Sequence, residues 1–134
     1  MTRTFPSVSD RVTQDTINAY ADLSGDYNPL HVDLEVAAAS AFGGTIAHGP
    51  IAFQALFRSL TEGLGSDALP AGTRITVTYR APVRPGDTVS SHVEPSSDDD
   101  AAGDDRVRFD AHCANQDDVT VIAGQVELPR DAIA

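Results

Sequence analysis

The sequence contains no lysine and no tryptophan, and it has a single cysteine, Cys113. One cysteine excludes an internal disulfide and any metal site built from several cysteines. No run approaches the roughly 20 apolar residues of a membrane-spanning helix, and the N-terminus from Met1 to Pro6 lacks the apolar core of a signal peptide. These absences predict a cytoplasmic protein without membrane contact. The 134 residues are the size of one domain, taken as 1–134.

The charge is strongly acidic. Twenty acidic residues face nine basic ones, all arginine, and the net charge is -11. With no basic face, nucleic acid is not an expected partner. The excess of acidic residues reflects either one solvated acidic loop or an adaptation to high salt. At 1 M salt the Debye length is only ~3 Å, which weakens the repulsion among the carboxylates. We expect salt adaptation. The densest acidic stretch contains Asp98, Asp99, Asp100, Asp104 and Asp105.

The first half of the chain has helical signals. Thr13 suits an N-cap and Gly25 a C-terminal stop, and Asp33 can cap a shorter helix from Leu34 to Ala41. Pro50 fits the first turn of a third helix that ends near Gly63 to Gly65. The third helix has a broad apolar stripe, which predicts deep burial. The stripe comprises Ile51, Ala52, Phe53, Ala55, Leu56, Phe57, Ser59 and Leu60.

The second half alternates with period two, which predicts four strands near 74–80, 89–93, 107–113 and 119–128. Short or acidic turns favour antiparallel pairing of consecutive strands, and Ser96 to Asp105 is expected to be an exposed hairpin loop. One buried helix and an antiparallel sheet predict an α+β fold. Such a small sheet leaves an open edge or face, which favours a dimer.

Two glycine-flanked segments carry the candidate chemistry. Asp26 and His31 bracket an Asn-Pro turn, and His48 follows in a second segment. An acid and an imidazole held by a short stiff bend suit proton transfer. The structural alternative is that Asp26 merely caps a turn, since Asn-Pro is common turn chemistry.

Three further residues are expected to be structural. His92 and His112 fall on polar strand faces and are predicted to be solvated, whereas Cys113 is predicted to be a small core residue. His112 and Cys113 are too sparse for a metal site, because adjacent strand residues point to opposite faces.

The segment 20–33 closely resembles the signature of the MaoC-like dehydratases, the (R)-specific enoyl-CoA hydratases. The resemblance continues through Ala39, 42–43 and 46–49, and resumes at 79–83 and 85–87. It implies the hot-dog fold, in which a curved antiparallel sheet wraps around one long helix, here Pro50 to about Gly63. It also implies hydration of a 2-enoyl-CoA without a metal or organic cofactor.

The resemblance implies roles residue by residue. Asp26 and His31 would be the catalytic pair, and Asn28 would help to place them. Gly49 would supply the backbone N–H that holds the thioester carbonyl, while His48 would support the loop by hydrogen bonds.

Substrate contacts are assigned by chemistry rather than by motif. In so acidic a protein, the phosphates of coenzyme A need nearby arginines to bind them. Arg80 and Arg84, which flank the second block of resemblance, are candidates for this contact. Further candidates are Arg58 and Arg74. Some relatives place a serine on the central helix, where this chain has Phe53, Gln54 and Phe57. Phe53 and Phe57 would shorten the acyl pocket.

The leading hypothesis is a homodimeric (R)-specific enoyl-CoA hydratase, with a possible use in supplying monomers for polyhydroxyalkanoate. One alternative is the same chemistry on a hydroxyacyl carrier or on a branched or dicarboxylic acyl-CoA. A second is a hot-dog thioesterase, and a third is a non-catalytic subunit that binds acyl groups. The intact Asp26–His31 block argues against the last two.

Overall fold

The computed structural model describes residues 3–97, 103 and 105–133. These form five strands, four helices and a final turn of 3₁₀ helix at Arg130–Ala132. In chain order the elements are β1 Ser9–Arg11, α1 Gln14–Ser24, α2 Pro29–Val32, α3 Leu34–Ala39, α4 Gly49–Leu64, β2 Arg74–Tyr79, β3 Thr88–Pro95, β4 Arg106–Ala114 and β5 Thr120–Pro129.

The strands form one antiparallel sheet in the order β1-β3-β4-β5-β2. Helix α4 packs against β3, β4 and β5 and is the long central helix of the sequence prediction. Its buried residues are Ala52, Phe53, Ala55, Leu56, Ser59 and Leu60, and they meet the inward side chains of the sheet, Phe109 and Val126 among them. The α+β prediction is therefore confirmed.

Local chemistry sets the helix ends. The Thr13 hydroxyl accepts the Thr16 N–H at 3.1 Å, and Gly25 ends α1 with φ 76°. Gly65 ends α4 in the same left-handed conformation, with φ 67°. All three caps were predicted.

Helix α3 ends at Ala39, two residues earlier than predicted. The Ser40 hydroxyl donates to the Ala37 carbonyl at 2.6 Å and accepts from the Phe42 N–H at 3.2 Å. The side chain thus replaces helical backbone bonds and turns the chain.

The prediction that consecutive strands pair is wrong for β2 and β3. Strand β2 pairs with β5 at one edge, while β3 lies between β1 and β4. The connecting segment contains Pro82 and Pro85, which have no N–H to donate to a ladder. It crosses the molecule instead, with the Val83 carbonyl accepting the Ala47 N–H at 2.7 Å.

Strand β1 was not predicted. It has three residues, and its place is set by pairing with Ser90, Val89 and Thr88 of β3. The predicted acidic hairpin loop lies largely outside the described residues, which exclude 98–102 and 104. Among the described residues, no helix is both long and apolar enough to cross a membrane.

Candidate active site

His31 lies on a one-turn helix rather than in a plain turn. The Asn28 carboxamide oxygen accepts the Leu30 N–H at 3.0 Å and caps α2, while Pro29 occupies its first position. The Asp26 carboxylate accepts the Asn28 N–H at 3.2 Å in the preceding bend. Each polar residue of the motif therefore fixes the backbone of the next, and Asn28 places His31 by capping the helix that carries it.

The hydrogen bonds of His31 fix its tautomer. Its Nδ1 is 2.8 Å from the Ile46 carbonyl oxygen, which can only accept, so in the neutral tautomer Nδ1 carries the hydrogen and Nε2 has the lone pair. This Nε2 lies 3.9 Å from Oδ2 of Asp26, too far for a direct hydrogen bond. The His31 side chain is 14% exposed and that of Asp26 is 53% exposed. A half-open gap thus separates the Asp26 carboxyl oxygen from Nε2 of His31.

His48 contacts both Asp26 and His31. It is 2% exposed, and its Nε2 donates to the Asp26 carbonyl at 2.9 Å. Its ring stacks on that of His31, with centroids 3.8 Å apart and planes 26° apart, and Tyr20 covers it at 4.7 Å. The Nδ1 of His48 is buried without a partner in the described residues. His48 therefore holds the Asp26 loop by one edge and His31 by one face.

Gln14 is a supporting residue that sequence reasoning missed. Its amide nitrogen donates to the His31 carbonyl at 2.9 Å, and its amide oxygen accepts the Thr45 hydroxyl at 2.7 Å. It thus ties α1 to α2 and to the loop before α4. Only its position in the first turn of α1 was visible in sequence, and that signal does not predict contacts 17 and 31 residues away.

Gly49 is the first residue of α4, where helix N–H groups lack intrahelical partners and a partial positive charge accumulates. A Cβ at this position would lie 2.8 Å from Cζ of Tyr79 and 2.9 Å from its oxygen. Glycine therefore lets the Tyr79 ring, itself 54% exposed, lie against the helix start.

One cavity of about 540 Å³ contains both His31 and Gly49. Its walls are mostly apolar and include Phe42, Ile46, Ala52, Tyr79 and Val83, and Arg80 also lines it. An imidazole with a free nitrogen and a helix N-terminus therefore face one space. This arrangement can move a proton and hold an oxyanion on the same small molecule.

Phe53, Phe57 and Arg84 do not line that cavity. Phe53 is buried in the core and meets Phe57 edge to face at 4.4 Å. Phe57 is 41% exposed and lines a second cavity of about 560 Å³ with Tyr20, Leu23 and Ile51. Phe53 lines neither cavity. The expectation that Phe53 and Phe57 shorten the acyl pocket stays a prediction.

Asp26, His31 and His48 are also the one group of three metal-ligating side chains close enough to share an ion in the described part of the chain. One ligand atom from each lies within 4.8 Å of the others. Such closeness equally serves proton transfer, so it does not by itself define a metal site.

An antiparallel sheet around one long central helix is the architecture of the hot-dog fold. Residues 3–116 match the family described as MaoC like domain. The chain belongs to this family.

The relatives include an (R)-specific enoyl-CoA hydratase from Aeromonas caviae, 37% identical over 91 residues, which are 65% of this chain and 64% of that protein. The fatty acid synthase subunit beta of Saccharomyces cerevisiae is 30% identical over 123 residues, 91% of this chain but 6% of that protein. The chain thus spans less than two thirds of the length of either curated relative.

A solved structure extends the likeness over almost the whole fold. The (R)-hydratase from A. caviae involved in PHA biosynthesis has a TM-score of 0.76 at 25% identity, covering 96% of this chain and 97% of that one. The hot-dog prediction is therefore confirmed.

Proposed function

We propose that this protein is an (R)-specific enoyl-CoA hydratase, which adds water reversibly to a trans-2-enoyl-CoA to give an (R)-3-hydroxyacyl-CoA. The observation that carries the proposal is the gap between Asp26 Oδ2 and His31 Nε2, beside a cavity that also contains Gly49. Hydration needs a base for water, an acid for C2 and a stabiliser for the enolate oxygen. His31 and Gly49 line this cavity, and Asp26, which does not line it, lies next to His31.

The 3.9 Å separation suits one water hydrogen-bonded to both side chains. The free lone pair of His31 and the carboxylate of Asp26 can then share the deprotonation of that water, whose oxygen attacks C3. The same pair returns a proton to C2 on the same face, so addition is syn. His48 keeps the geometry by its bond to the Asp26 carbonyl and its stacking on His31.

The Gly49 N–H is proposed to donate a hydrogen bond to the thioester oxygen as negative charge develops on it. In Gly49→Ala the added Cβ would meet the Tyr79 ring at 2.8 Å. We therefore expect kcat to fall about 100-fold, which is the typical cost of displacing a reacting group by about 1 Å. Stability should change by no more than about 1 kcal/mol, since alanine favours helix. Steady-state kinetics and urea unfolding measure both.

The matched control is Gly44→Ala, whose Cβ would meet only Arg84 Nη1 at an ordinary 3.6 Å. It should keep wild-type turnover. Equal turnover in Gly49→Ala and the wild type would remove Gly49 from the oxyanion role.

Arg80 is proposed to bind the phosphates of coenzyme A. It lines the cavity of His31, and it has no ion pair with any other described residue, whereas Arg58, Arg74 and Arg108 are paired with carboxylates. We expect Arg80→Gln to raise KM for crotonyl-CoA about tenfold, the value of one hydrogen bond to a charged group. The assay should use the lowest salt that keeps the protein folded, because screening weakens this contact.

The phosphate-free thioester crotonyl-N-acetylcysteamine separates this role from general damage. Its kcat/KM should be the same in Arg80→Gln and the wild type. In the control variant Arg106→Gln, the kinetic constants for both substrates should equal those of the wild type. A KM for crotonyl-CoA that does not move would show that Arg80 does not contact the carrier; Arg84 is then the next candidate.

We propose that the active form is a homodimer, because β2 presents six residues of unpaired sheet edge. The length of the acyl chain and the choice of coenzyme A as its carrier are likewise part of what is proposed. The rival that keeps the chemistry is dehydration of a 3-hydroxyacyl group on a carrier protein, and a supply of polyhydroxyalkanoate monomers is one use of the hydratase direction.

The hydratase is distinguished from a thioesterase by one assay. Crotonyl-CoA is mixed with protein in molar salt, and enoyl absorbance is followed together with thiol release. Falling absorbance without thiol supports the proposal, and thiol release supports a thioesterase. No change in either signal, with short and medium chains tried and the protein folded, would overturn the proposal and leave a non-catalytic acyl-binding subunit.

Cys113 does not disturb this assay. The thiol is buried, and burial raises its pKa to about 11, so the thiolate that reacts with the reagent is scarce. Thiol detected in the assay therefore comes from coenzyme A.

Salt dependence is a separate expectation from the net charge of -11. We expect the protein to unfold in dilute buffer and to refold in molar NaCl, because salt screens the repulsion among its carboxylates. Circular dichroism during dialysis in both directions checks this. Glycerol, which does not screen charge, should restore much less structure, and full stability without salt would contradict the expectation.

A further inference from the structure

Two histidines lie outside the active site on neighbouring strands. His92 of β3 and His112 of β4 are directly opposite each other in the register. Their rings stack with centroids 4.7 Å apart and planes 22° apart. Their neighbours Ser91 and Cys113 are buried, so the alternation of a strand turns both imidazoles to the outer face of the sheet.

We propose that His92 and His112 form a binding site for a divalent transition-metal ion such as Ni²⁺, Cu²⁺ or Zn²⁺. Imidazole is a preferred ligand of these ions. Directly opposite residues of an antiparallel pair have Cβ atoms about 4.5–5.5 Å apart, so small rotations bring a nitrogen of each ring to one ion. Neither ring is hydrogen-bonded to another described residue, which leaves its lone pair available.

The surroundings of the pair favour a cation. Glu94 and Asp110 form the next opposed pair on the same face, and the carboxylates of Glu94 and Asp118 act electrostatically on His112. A cavity of about 510 Å³ beside His112 has room for an ion and its waters. Asp110 and Thr120 line it, as does one cation, Arg80, whereas His92 does not.

The site is distinct from the cluster of Asp26, His31 and His48. In that cluster one nitrogen of each ring is already engaged by a backbone carbonyl. In the outer pair no ring nitrogen is hydrogen-bonded to another described residue, and His92 is exposed. The two locations can therefore be separated by mutation.

The test is calorimetric titration of untagged protein with Ni²⁺ near neutral pH in a non-chelating buffer, with Cu²⁺ electron paramagnetic resonance to count nitrogen ligands. We expect one ion per chain with two imidazole nitrogens. His92→Ala and His112→Ala should each weaken binding by at least about tenfold, since even the loss of an outer-shell partner costs that much. His31→Ala should leave binding unchanged.

Unchanged affinity in the double variant His92→Ala/His112→Ala would overturn the proposal, and so would loss of the ion in His31→Ala. If an alanine variant misfolds, His92→Gln and His112→Gln replace it, with circular dichroism as the check on folding. Saturating Ni²⁺ should raise the thermal midpoint of the wild type and not that of the double variant. An equal rise in both would also refute the site. Hydration of crotonyl-CoA by the metal-free double variant should match the wild type.

Discussion

Asp26→Asn and His31→Ala are each expected to lower turnover of crotonyl-CoA by about 10²–10⁴-fold, the usual contribution of a positioned acid or base. Asparagine keeps an oxygen for the Asn28 N–H, now 3.2 Å from the Asp26 carboxylate, so the bend survives while the charge is lost. In His31→Ala the lone pair that faces Asp26 disappears. Steady-state kinetics in molar salt, with circular dichroism on each variant, measure the effect.

The double variant sharpens this expectation. If both side chains hold the same water, removing either disables the pair, so Asp26→Asn/His31→Ala should be little worse than the more damaging single variant. If the two side chains acted independently, the fold-losses in turnover of the single variants would multiply in the double variant. Controls are Asp67→Asn and His92→Ala, which remove an exposed acid and an exposed imidazole elsewhere and should retain turnover. Substantial activity in either single active-site variant would remove that residue from the mechanism.

The largest expected effect on stability is that of Gly124→Ala. Gly124 lies in β5 opposite Val77 of β2, and a Cβ there would be 1.9 Å from the Thr76 carbonyl oxygen. That atom belongs to the backbone, so only separation of the two strands relieves the collision. Overpacking typically costs about 1–3 kcal/mol, and we expect the upper end of that range, because β2 has β5 as its neighbour at the edge of the sheet.

Urea unfolding at fixed salt measures this change in the free energy of unfolding. Turnover should fall as well, because Tyr79 ends β2 and Arg80 follows it, and both line the cavity of His31. Gly44→Ala is again the matched control, with a change within about 0.5 kcal/mol, as for an ordinary surface substitution. Gly124→Ala with wild-type stability would contradict the close strand approach.

Helix boundaries were readable from the sequence because their causes are local. The Thr13 hydroxyl, the left-handed Gly25 and the left-handed Gly65 act on backbone within one turn. The four strands of the second half were readable for a similar reason, since alternation along one strand reports its buried face. The missed strand β1 has too few residues to alternate, and its place depends on β3, about 80 residues later.

The candidate site was predicted unevenly for the same physical reason. Asp26 and His31 were found because their motif is contiguous. Stacking of His48 on His31, and the bonds of Gln14 to His31 and Thr45, join segments that meet only in the folded chain. Phe53 and Phe57 were placed on the right helix, but the side of α4 that faces His31 depends on how the sheet wraps it. One apolar stripe on a helix does not distinguish the two cavities.

The most direct measurement of the central claim is the product formed from crotonyl-CoA in molar salt, separated by chiral chromatography. The account predicts (R)-3-hydroxybutyryl-CoA from the wild type and almost none from Asp26→Asn at equal concentration of folded protein. Formation of the (S) product, free coenzyme A without a hydroxyacyl product, or an undiminished yield from Asp26→Asn would contradict (R)-specific hydration by the Asp26–His31 pair.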